Sequence, residues 1–302
     1  MMSPMLRIVL AGRLDDAAEA RLAAGAEVVR VAPDDGAALL RAVADCDALI
    51  VRTNVQVTRE LLAAGRRLRC VGVAGVGIDN VDAEAAAALG ITVLHTPEAS
   101  SDAVAEFTVA LMLQLLRPIP RLAGEYAAGR YTSARAQTHG RELRGLTVGI
   151  IGMGRIGSRV GRICGAGLGA RVLYNDIVPV GPFDFPAEAM GKRELLAAAE
   201  VLTLHVPLTA ETRSMLSAGE LSRLRPGVLL INTARGGLVD LDGLLAALKS
   251  GHIGGAALDV TEPEPLPAGH ELFSMPNCIL TPHAAARTTA GIQGMYAIAD
   301  RV

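Results

Sequence analysis

Short apolar runs alternate with longer stretches of mixed polarity between residues 7 and 95. The apolar runs are rich in Val, Ile and Leu, a pattern typical of strands that are buried on both faces. Alternation of this kind predicts a parallel sheet with helices on both sides. The predicted strands are 7–10, 27–31, 48–51, 69–73 and 92–94, and the predicted helices are 15–24, 36–44, 58–64 and 83–89.

A long apolar helix is predicted next, beginning at Ser100 or Ser101 and ending near residue 117, where Pro118 and Pro120 close it. The following segment, 121–144, has mixed polarity and several arginines. Two interpretations of this segment remain open, an arm onto a second subunit and a plain surface excursion.

Strands and helices then alternate a second time. The predicted strands are 147–151, 170–174, 201–204, 228–231, 255–258 and 278–281, and the predicted helices are 158–168, 192–198, 218–223 and 240–250. The fold class that follows is α/β, with two doubly wound parallel-sheet domains.

The first strand of this second series runs into Gly152, Gly154 and Gly157, spaced as Gly-x-Gly-x-x-Gly, and a helix and a strand ending at Asp176 follow. This is the dinucleotide-binding fingerprint. Its glycines allow a tight turn, a close approach of the backbone to a pyrophosphate and close packing of the helix, while the acid binds the ribose hydroxyls. A structural Gly-rich turn is the weaker alternative. Residues 177–179 contain no Arg or Lys to bind a 2′-phosphate, which favours NAD over NADP.

Three ionisable residues follow predicted strands at the same edge of the second sheet: Arg235, Glu264 and His283. A guanidinium can hold a carboxylate, and a carboxylate behind a histidine suits the transfer of one proton to or from an alcohol. Taken singly, each has a plainer interpretation as an ion pair, a solvated acid or a loop histidine. Their joint position beside a nucleotide site predicts catalysis.

Two loops of the first domain are candidate substrate sites, because ligands of such sheets bind beyond the carboxyl ends of the strands. One carries Arg52 and Thr53, and the other carries Gly75, Val76 and Gly77. The two glycines leave backbone N–H groups bare around Val76, which predicts a nest for a carboxylate. A simple turn before a helix is the alternative.

Composition narrows the class of protein. The 302 residues, 51% of them hydrophobic, are enough for two cores, and a net charge of −2 gives no reason to expect a nucleic acid or a membrane surface as partner. The four cysteines include no C-x-x-C pair, no metal site is predicted, and no signal peptide precedes the first strand. A cytoplasmic location is therefore expected.

Seven segments resemble the D-isomer-specific 2-hydroxyacid dehydrogenases in order and spacing. They are AGVGID (74–79), DAVAEFT (102–108), GIIGMGRIG (149–157), HVPLTAET (205–212), INTARGGLVD (231–240), AALDVTEPEP (256–265) and TPH (281–283). The resemblance implies a flavodoxin-like substrate domain of residues 1–98 and 285–302, a Rossmann NAD-binding domain of residues 99–284, a homodimer and a 2-hydroxy or 2-keto acid substrate.

The resemblance also implies roles for individual residues. Arg235 would bind the substrate, His283 would be the acid/base and Glu264 its partner, with Arg52 assisting an anionic substrate. Besides the three glycines, the implied cofactor contacts are Arg155, Ile156, Asp176, His205, Val206, Pro207, Thr212, Thr233, Ala234, Arg235, Asp259, His283 and Ala285.

Within the family, AGVGIDNVD, INTARGGLVD and the pair Arg52-Thr53 are similar to phosphoglycerate dehydrogenases, which implies 3-phosphoglycerate as substrate. Residues 284–288 (AAART) depart from the Gly-containing stretch of those enzymes, and no regulatory domain is expected after Val302. Reduction of hydroxypyruvate or glyoxylate is therefore an open alternative. A corepressor-like, NAD-sensing binding protein is a second alternative, and a formate dehydrogenase, which would not need the proton relay that Glu264 implies, is a third.

Overall fold

The structure is a computed structural model that describes residues 5–137 and 140–302. The chain divides into two compact units. The first unit contains the described residues up to Ser101 together with Ala286–Val302, and the second contains Asp102–Ala285.

Residues 5–101 of the first unit form a five-stranded sheet in the order β2-β1-β3-β4-β5, with every neighbouring pair parallel. This is the flavodoxin-like order, so the fold predicted for the first domain is confirmed. The elements are β1 (Leu6–Ala11), α1 (Asp16–Gly25), β2 (Ala26–Val31), α2 (Gly36–Val43), β3 (Ala48–Val51), α3 (Arg59–Ala64), β4 (Cys70–Val73), α4 (Ala83–Ala88) and β5 (Thr92–His95).

The four helices between these strands begin in the same way. At each start an Asp or Thr side chain accepts a hydrogen bond from the backbone N–H three residues further on, which satisfies one of the otherwise unpaired donors of the first turn. The capping residues are Asp15, Asp35, Thr58 and Asp82. Local sequence therefore fixes where these helices start, and burial of the strands between them fixes the sheet.

The described residues of the second unit form a seven-stranded parallel sheet in the order β12-β11-β10-β9-β6-β7-β8. The strand order reverses between β6 and β9, as in the predicted Rossmann fold. The elements are α5 (Ser101–Leu116), α6 (Ile119–Ala127), α7 (Tyr131–Gln137), β6 (Thr147–Ile151), α8 (Arg155–Arg162), β7 (Arg171–Asn175), β8 (Glu188–Ala189), α9 (Lys192–Ala198), β9 (Val201–Leu204), α10 (Ala218–Leu221), β10 (Val228–Asn232), α11 (Leu241–Lys249), β11 (Ile253–Leu258) and β12 (Cys278–Leu280).

The chain ends with α12 (Thr289–Tyr296) and a 3₁₀ turn, Ala297–Asp300, in the first unit. The turn packs on β4, because a Cβ at Gly72 would lie 3.0 Å from Ile298 and closer still to the side chain of Val302. The small residue in β4 makes room for the C-terminal segment.

Two predicted boundaries were wrong. The helix after the Gly-rich motif begins at Arg155 and not at residue 158, because the extended Gly154 is its N-cap and the motif runs into the helix. Pro120 does not close the long helix but lies in the first turn of α6, where a missing N–H costs nothing. The described part of segment 121–144 contains most of α6 and all of α7. The arm onto a second subunit and the plain surface excursion both stay open as interpretations.

Among the described residues, no single helix is long and apolar enough to cross a bilayer. The helices α5 and α6 taken together are long and apolar enough by length and composition, but the pair is bent by 55° at the break between them.

Candidate active site

The Gly-rich turn lies where the strand order of the second sheet reverses, between β6 and β9. Gly152 has φ +90°, and a Cβ there would lie 2.5 Å from the carbonyl oxygen of His205 and 2.7 Å from the side chain of Val206. A Cβ at Gly157 would overlap the carbonyl oxygen of Gly152. Two of the three glycines are therefore required by close contacts, and they bring the β6 and β9 loops together.

The start of α8 suits a diphosphate. Its N-cap, Gly154, supplies no side chain to bond the first N–H groups, and no heavy atom lies within 4 Å of the position that a Cβ would take. Open N–H groups at a helix N-terminus attract an anion through hydrogen bonds and through the helix dipole. The exposed Arg155 and the half-buried Ile156, both predicted cofactor contacts, form the first two residues of this helix.

A cavity of about 400 Å³ lies at the end of β7, next to the predicted ribose-binding acid. One oxygen of Asp176 accepts the N–H of Met153 at 2.7 Å, so the carboxylate is held against the Gly-rich turn. Ile177 and Val178 are 98% and 55% exposed and provide an apolar wall. The other lining residues are Tyr174, Asn175, Pro179, Val180, Ala189 and Met190. The volume of the cavity lies in the range of small-molecule sites.

The loop after β9 carries the predicted contacts His205, Val206, Pro207 and Thr212. His205 donates its backbone N–H to Ile151 at 2.8 Å and bonds the hydroxyl of Thr203 through Nε2 at 3.0 Å. Burial lowers the pKa of His205 to about 3, so the imidazole is neutral at physiological pH. The Thr212 hydroxyl donates to the carbonyl oxygen of Pro207 at 2.7 Å and closes the loop.

The loop after β10 is held by Asn232, which is 1% exposed. Its side-chain oxygen accepts the N–H of Ala234 at 3.0 Å, and its amide donates to the carbonyl oxygen of Arg235 at 2.8 Å. The guanidinium of Arg235 donates to the carbonyl oxygen of Ala234 at 2.7 Å. Asn232 was not predicted as a functional residue, although an Asn directly before a polar loop is a known turn signal.

The loops that carry Arg235 and Glu264 touch. A Cβ at Gly236 would overlap the backbone carbonyl of Thr261. Thr261 in turn donates its N–H to the Glu264 carboxylate at 3.4 Å and its hydroxyl to the carbonyl oxygen of Pro263 at 2.9 Å. The glycine after Arg235 therefore allows the substrate-binding and proton-transfer candidates to lie on adjoining loops.

Asp259, at the end of β11, is 1% exposed and uses both of its oxygens inside the protein. Oδ1 accepts the Thr281 hydroxyl at 2.6 Å and the Ala284 N–H at 2.8 Å, while Oδ2 accepts the Ala285 N–H at 2.8 Å. The carboxylate thus shapes the loop around His283. Contacts of Asp259 and Ala285 with a cofactor stay predictions.

His283 and Glu264 form a hydrogen-bonded pair, with 2.7 Å between Nδ1 and Oε1. An ionised carboxylate only accepts, so we assign the proton to Nδ1, which leaves Nε2 for a substrate. His283 has φ +52°, a left-handed conformation that costs about 1 kcal/mol or more for a non-Gly residue. Its N–H donates to the carbonyl oxygen of Asp259 at 2.9 Å. The side chains of the pair are 42% and 43% exposed, so a ligand can reach them.

The candidate substrate loops of the first unit come together at Thr53 and Gly75, since a Cβ at Gly75 would lie 2.9 Å from the Thr53 methyl. The predicted carboxylate nest needs a correction. The N–H of Gly75 donates to the carbonyl oxygen of Val73 at 2.9 Å and is not bare. Within residues 5–101 and 286–302, no partner is seen for the N–H groups of Val76 and Gly77.

Asn80 was also missed as a functional candidate. It is 4% exposed, and its amide donates to the carbonyl oxygens of Val55, at 2.7 Å, and of Arg52, at 3.3 Å. It therefore fixes the backbone at Arg52. The side chain of Arg52 forms no ion pair among the residues that the structure describes.

Comparison with known proteins identifies the second unit. Residues 109–285 match the family model "D-isomer specific 2-hydroxyacid dehydrogenase, NAD binding domain". The chain belongs to this family. The predicted NAD cofactor is therefore confirmed at the level of the domain, and the diphosphate-ready helix start, the cavity at the end of β7 and Asp176 fit it.

The chain is similar to relatives that are named for two different enzyme activities. A D-3-phosphoglycerate dehydrogenase of Methanocaldococcus jannaschii is 41% identical over 256 residues, covering 83% of this chain and 48% of that protein. A glyoxylate reductase of Aeropyrum pernix is 40% identical over 257 residues, covering 83% of this chain and 76% of that protein. The chain spans about half the length of the phosphoglycerate dehydrogenases that it matches.

Solved structures of the family share the fold over almost the whole chain. The crystal structure of a glyoxylate reductase from Paecilomyes thermophila superposes with a TM-score of 0.91 and 29% identity, covering 99% of this chain and 94% of that one. The predicted architecture of two parallel-sheet α/β domains is confirmed by this similarity.

Proposed function

We propose that this chain is an NAD-dependent oxidoreductase that interconverts a small 2-hydroxy acid and its 2-keto acid. The observation that carries the proposal is the His283–Glu264 pair, which lies at the carboxyl edge of an NAD-binding sheet with Nδ1 and Oε1 2.7 Å apart. NAD, when bound, accepts a hydride from carbon 2 of the hydroxy acid or donates one to the keto acid.

The proton is moved by this chain's own residues. Nε2 of neutral His283 takes the hydroxyl proton during oxidation, and the protonated ring returns it to the carbonyl oxygen during reduction. Glu264 keeps the other proton on Nδ1 and stabilises the imidazolium that forms. Arg235, held by the Asn232 turn, binds the substrate carboxylate through its guanidinium. Substrate contacts by Thr53, Gly75, Val76 and Gly77 of the first unit stay predictions.

We propose 3-phosphoglycerate and its keto form, phosphohydroxypyruvate, as the first substrate pair, which would place the chain in serine biosynthesis. The similarity to proteins named D-3-phosphoglycerate dehydrogenase supports this choice, and Arg52 is the candidate for the phosphate. Hydroxypyruvate or glyoxylate is the second candidate. The 40% identity to a protein named glyoxylate reductase favours it about equally.

We further propose a homodimer of a cytoplasmic protein, with a small molecule and neither nucleic acid nor a membrane as its partner. Apolar side chains on α6 and α7 support the dimer: Ile119, Tyr126 and Tyr131 are 65%, 67% and 54% exposed, and no residue of α6 is buried. Light scattering coupled to size-exclusion chromatography measures the mass directly. A monomer at micromolar concentration contradicts the proposal.

NADH oxidation by the purified protein tests the function. Phosphohydroxypyruvate, hydroxypyruvate, glyoxylate and pyruvate are each supplied over a concentration series. A preference of more than about tenfold in kcat/KM for phosphohydroxypyruvate, roughly 1.4 kcal/mol, supports the first substrate. Preference for an unphosphorylated acid supports the second. NADH binding without turnover of any 2-keto acid contradicts the enzyme and favours a sensing role.

A further inference from the structure

We propose that Thr108, in the long helix α5, is a positioning residue that fixes which way the Thr233 hydroxyl points and thereby allows Thr233 only to accept a hydrogen bond from the cofactor. The two side chains are 0% and 7% exposed, and their hydroxyl oxygens lie 2.8 Å apart across 125 residues of sequence. The inference rests on the proposed role of Thr233 as a cofactor contact.

The direction of this hydrogen bond follows from counting protons. The Thr108 hydroxyl also lies 2.7 Å from the backbone carbonyl oxygen of Val104, which can only accept. A hydroxyl has one proton, so Thr108 donates it to the carbonyl oxygen of Val104. The proton between the two threonines must then come from Thr233. Its hydroxyl is left with lone pairs and without a free proton.

This assignment limits what Thr233 can recognise. The oxygens of a diphosphate only accept hydrogen bonds, so a Thr233 without a free proton cannot bind them. The donors of NAD are its amide and amino N–H groups and its ribose O–H groups. Thr233 lies directly after β10, at the carboxyl edge where nucleotides bind in such sheets, and the Asn232 turn holds the backbone after it. We therefore assign Thr233 to one of these donors, with the nicotinamide amide as first choice.

Three single variants and one double variant test the assignment. Thr108→Val keeps the shape of the side chain but removes the acceptor, so the buried Thr233 hydroxyl loses its partner and is free to turn. Thr108→Ser keeps the hydroxyl and is the matched control. Thr233→Val removes the proposed contact itself, and the Thr108→Val/Thr233→Val double variant tests whether the two act as one unit.

Binding is measured without turnover, by titrating each variant with NADH and following the emission of NADH, since the chain has no Trp to interfere. Thr108→Val should raise the Kd for NADH roughly five- to tenfold, Thr108→Ser less than twofold, and Thr233→Val at least as much as Thr108→Val. Adding Thr108→Val to Thr233→Val should change the Kd by less than twofold. Thermal unfolding of every variant separates a loss of binding from a loss of folded protein.

The acetylpyridine analogue of NADH, which has a methyl group in place of the amide NH₂, identifies the donor. Loss of the Thr233→Val effect with the analogue assigns the nicotinamide amide, and persistence of the effect assigns a ribose hydroxyl or the adenine amino group. An unchanged Kd in Thr233→Val, or equal losses from Thr108→Val in both backgrounds, overturns the inference. If the variants behave as expected but no 2-keto acid is turned over, the proposed enzyme activity fails and the positioning role stands.

Discussion

Polar side chains hold the loops at the carboxyl ends of both parallel sheets, but they bond different backbone groups in the two units. In the second unit, buried polar side chains such as Asn232 and Asp259 fix the loops after the strands through several hydrogen bonds each. In the first unit, Asn80 fixes the loop of Arg52 through two backbone carbonyl oxygens. The Gly75 loop is likewise held at its carbonyl oxygens: the buried Thr96 hydroxyl donates to Gly75 at 3.2 Å, and Nδ1 of His95 lies 2.8 Å from the carbonyl oxygen of Val76. These side chains bond carbonyl oxygens, and the N–H groups of Val76 and Gly77 have no partner within residues 5–101 and 286–302. We propose that these open N–H groups contact the substrate and that the second unit supplies the groups for proton transfer.

Removal of the proposed acid/base in the second unit should have the largest effect. His283→Ala should lower kcat on the order of 10²–10⁴-fold, because the variant lacks the imidazole that is proposed to exchange a proton with the substrate oxygen. NADH affinity should change less than about twofold. His252→Ala, at the amino end of β11 and so at the opposite edge of the same sheet, is the matched control and should keep full kcat. A kcat within threefold of the parent for His283→Ala would contradict the assignment.

The buried carboxylate of Asp259, which bonds the backbone next to His283, should contribute to the free energy of unfolding. Asp259→Asn replaces one acceptor oxygen with an NH₂ group that faces an N–H or O–H donor, so at least one of three hydrogen bonds is lost. We expect the free energy of unfolding to fall by about 1–3 kcal/mol. Chemical denaturation measures it.

The exposed Asp45 is the control for this variant. Asp45 pairs with Arg66 at 2.9 Å with its side chain 58% exposed, so Asp45→Asn should change the free energy of unfolding by less than about 0.5 kcal/mol. Equal losses in the two variants would show that the Asp259 network contributes nothing specific.

Sequence alone predicted the parts of the site that depend on neighbours in the chain. The Gly152–Asp176 fingerprint and the predicted helices 15–24 and 58–64 are local patterns, and each element follows from its own residues. The cross-connections could not be predicted, because Thr108 bonds Thr233 across 125 residues and Asp259 reaches Ala285 across 26. Such pairs depend on which strands and helices become neighbours in the fold. The hydrophobic pattern predicts only the order of these elements along the chain.

The Gly75 loop shows a second limit of the sequence. Two glycines flanking a residue predicted bare amides, yet the N–H of Gly75 turns back onto Val73 at 2.9 Å. A glycine permits several backbone conformations, and the contact that chooses between them, here with Thr53, comes from another loop. The prediction of bare amides was wrong for Gly75, and within residues 5–101 and 286–302 no partner is seen for the N–H groups of Val76 and Gly77.

Substrate recognition by the first unit is tested by Arg52→Ala. If Arg52 binds the phosphate, the variant should lower kcat/KM for phosphohydroxypyruvate by about tenfold, roughly 1.4 kcal/mol, and should leave kcat/KM for glyoxylate within twofold. Arg69→Ala, an exposed arginine that precedes β4 at the opposite edge of that sheet, is the matched control. Equal losses of kcat/KM with both substrates would contradict a role of Arg52 in binding the phosphate.

The smallest expected effect concerns His205, whose burial in the second unit lowers its pKa from 6.5 to about 3. Between these two values the unfolded chain binds a proton that the folded protein excludes, so this stabilisation is complete well above pH 6.5 and is lost as the pH falls through 6.5. His205→Gln removes this titration. The stability advantage of the parent over the variant should therefore shrink by about 0.8 kcal/mol between pH 7.5 and pH 6.0. Parallel stability curves for the two proteins would show that His205 is solvated, and the fixed polar interior assigned to this edge would then not extend to the β9 loop.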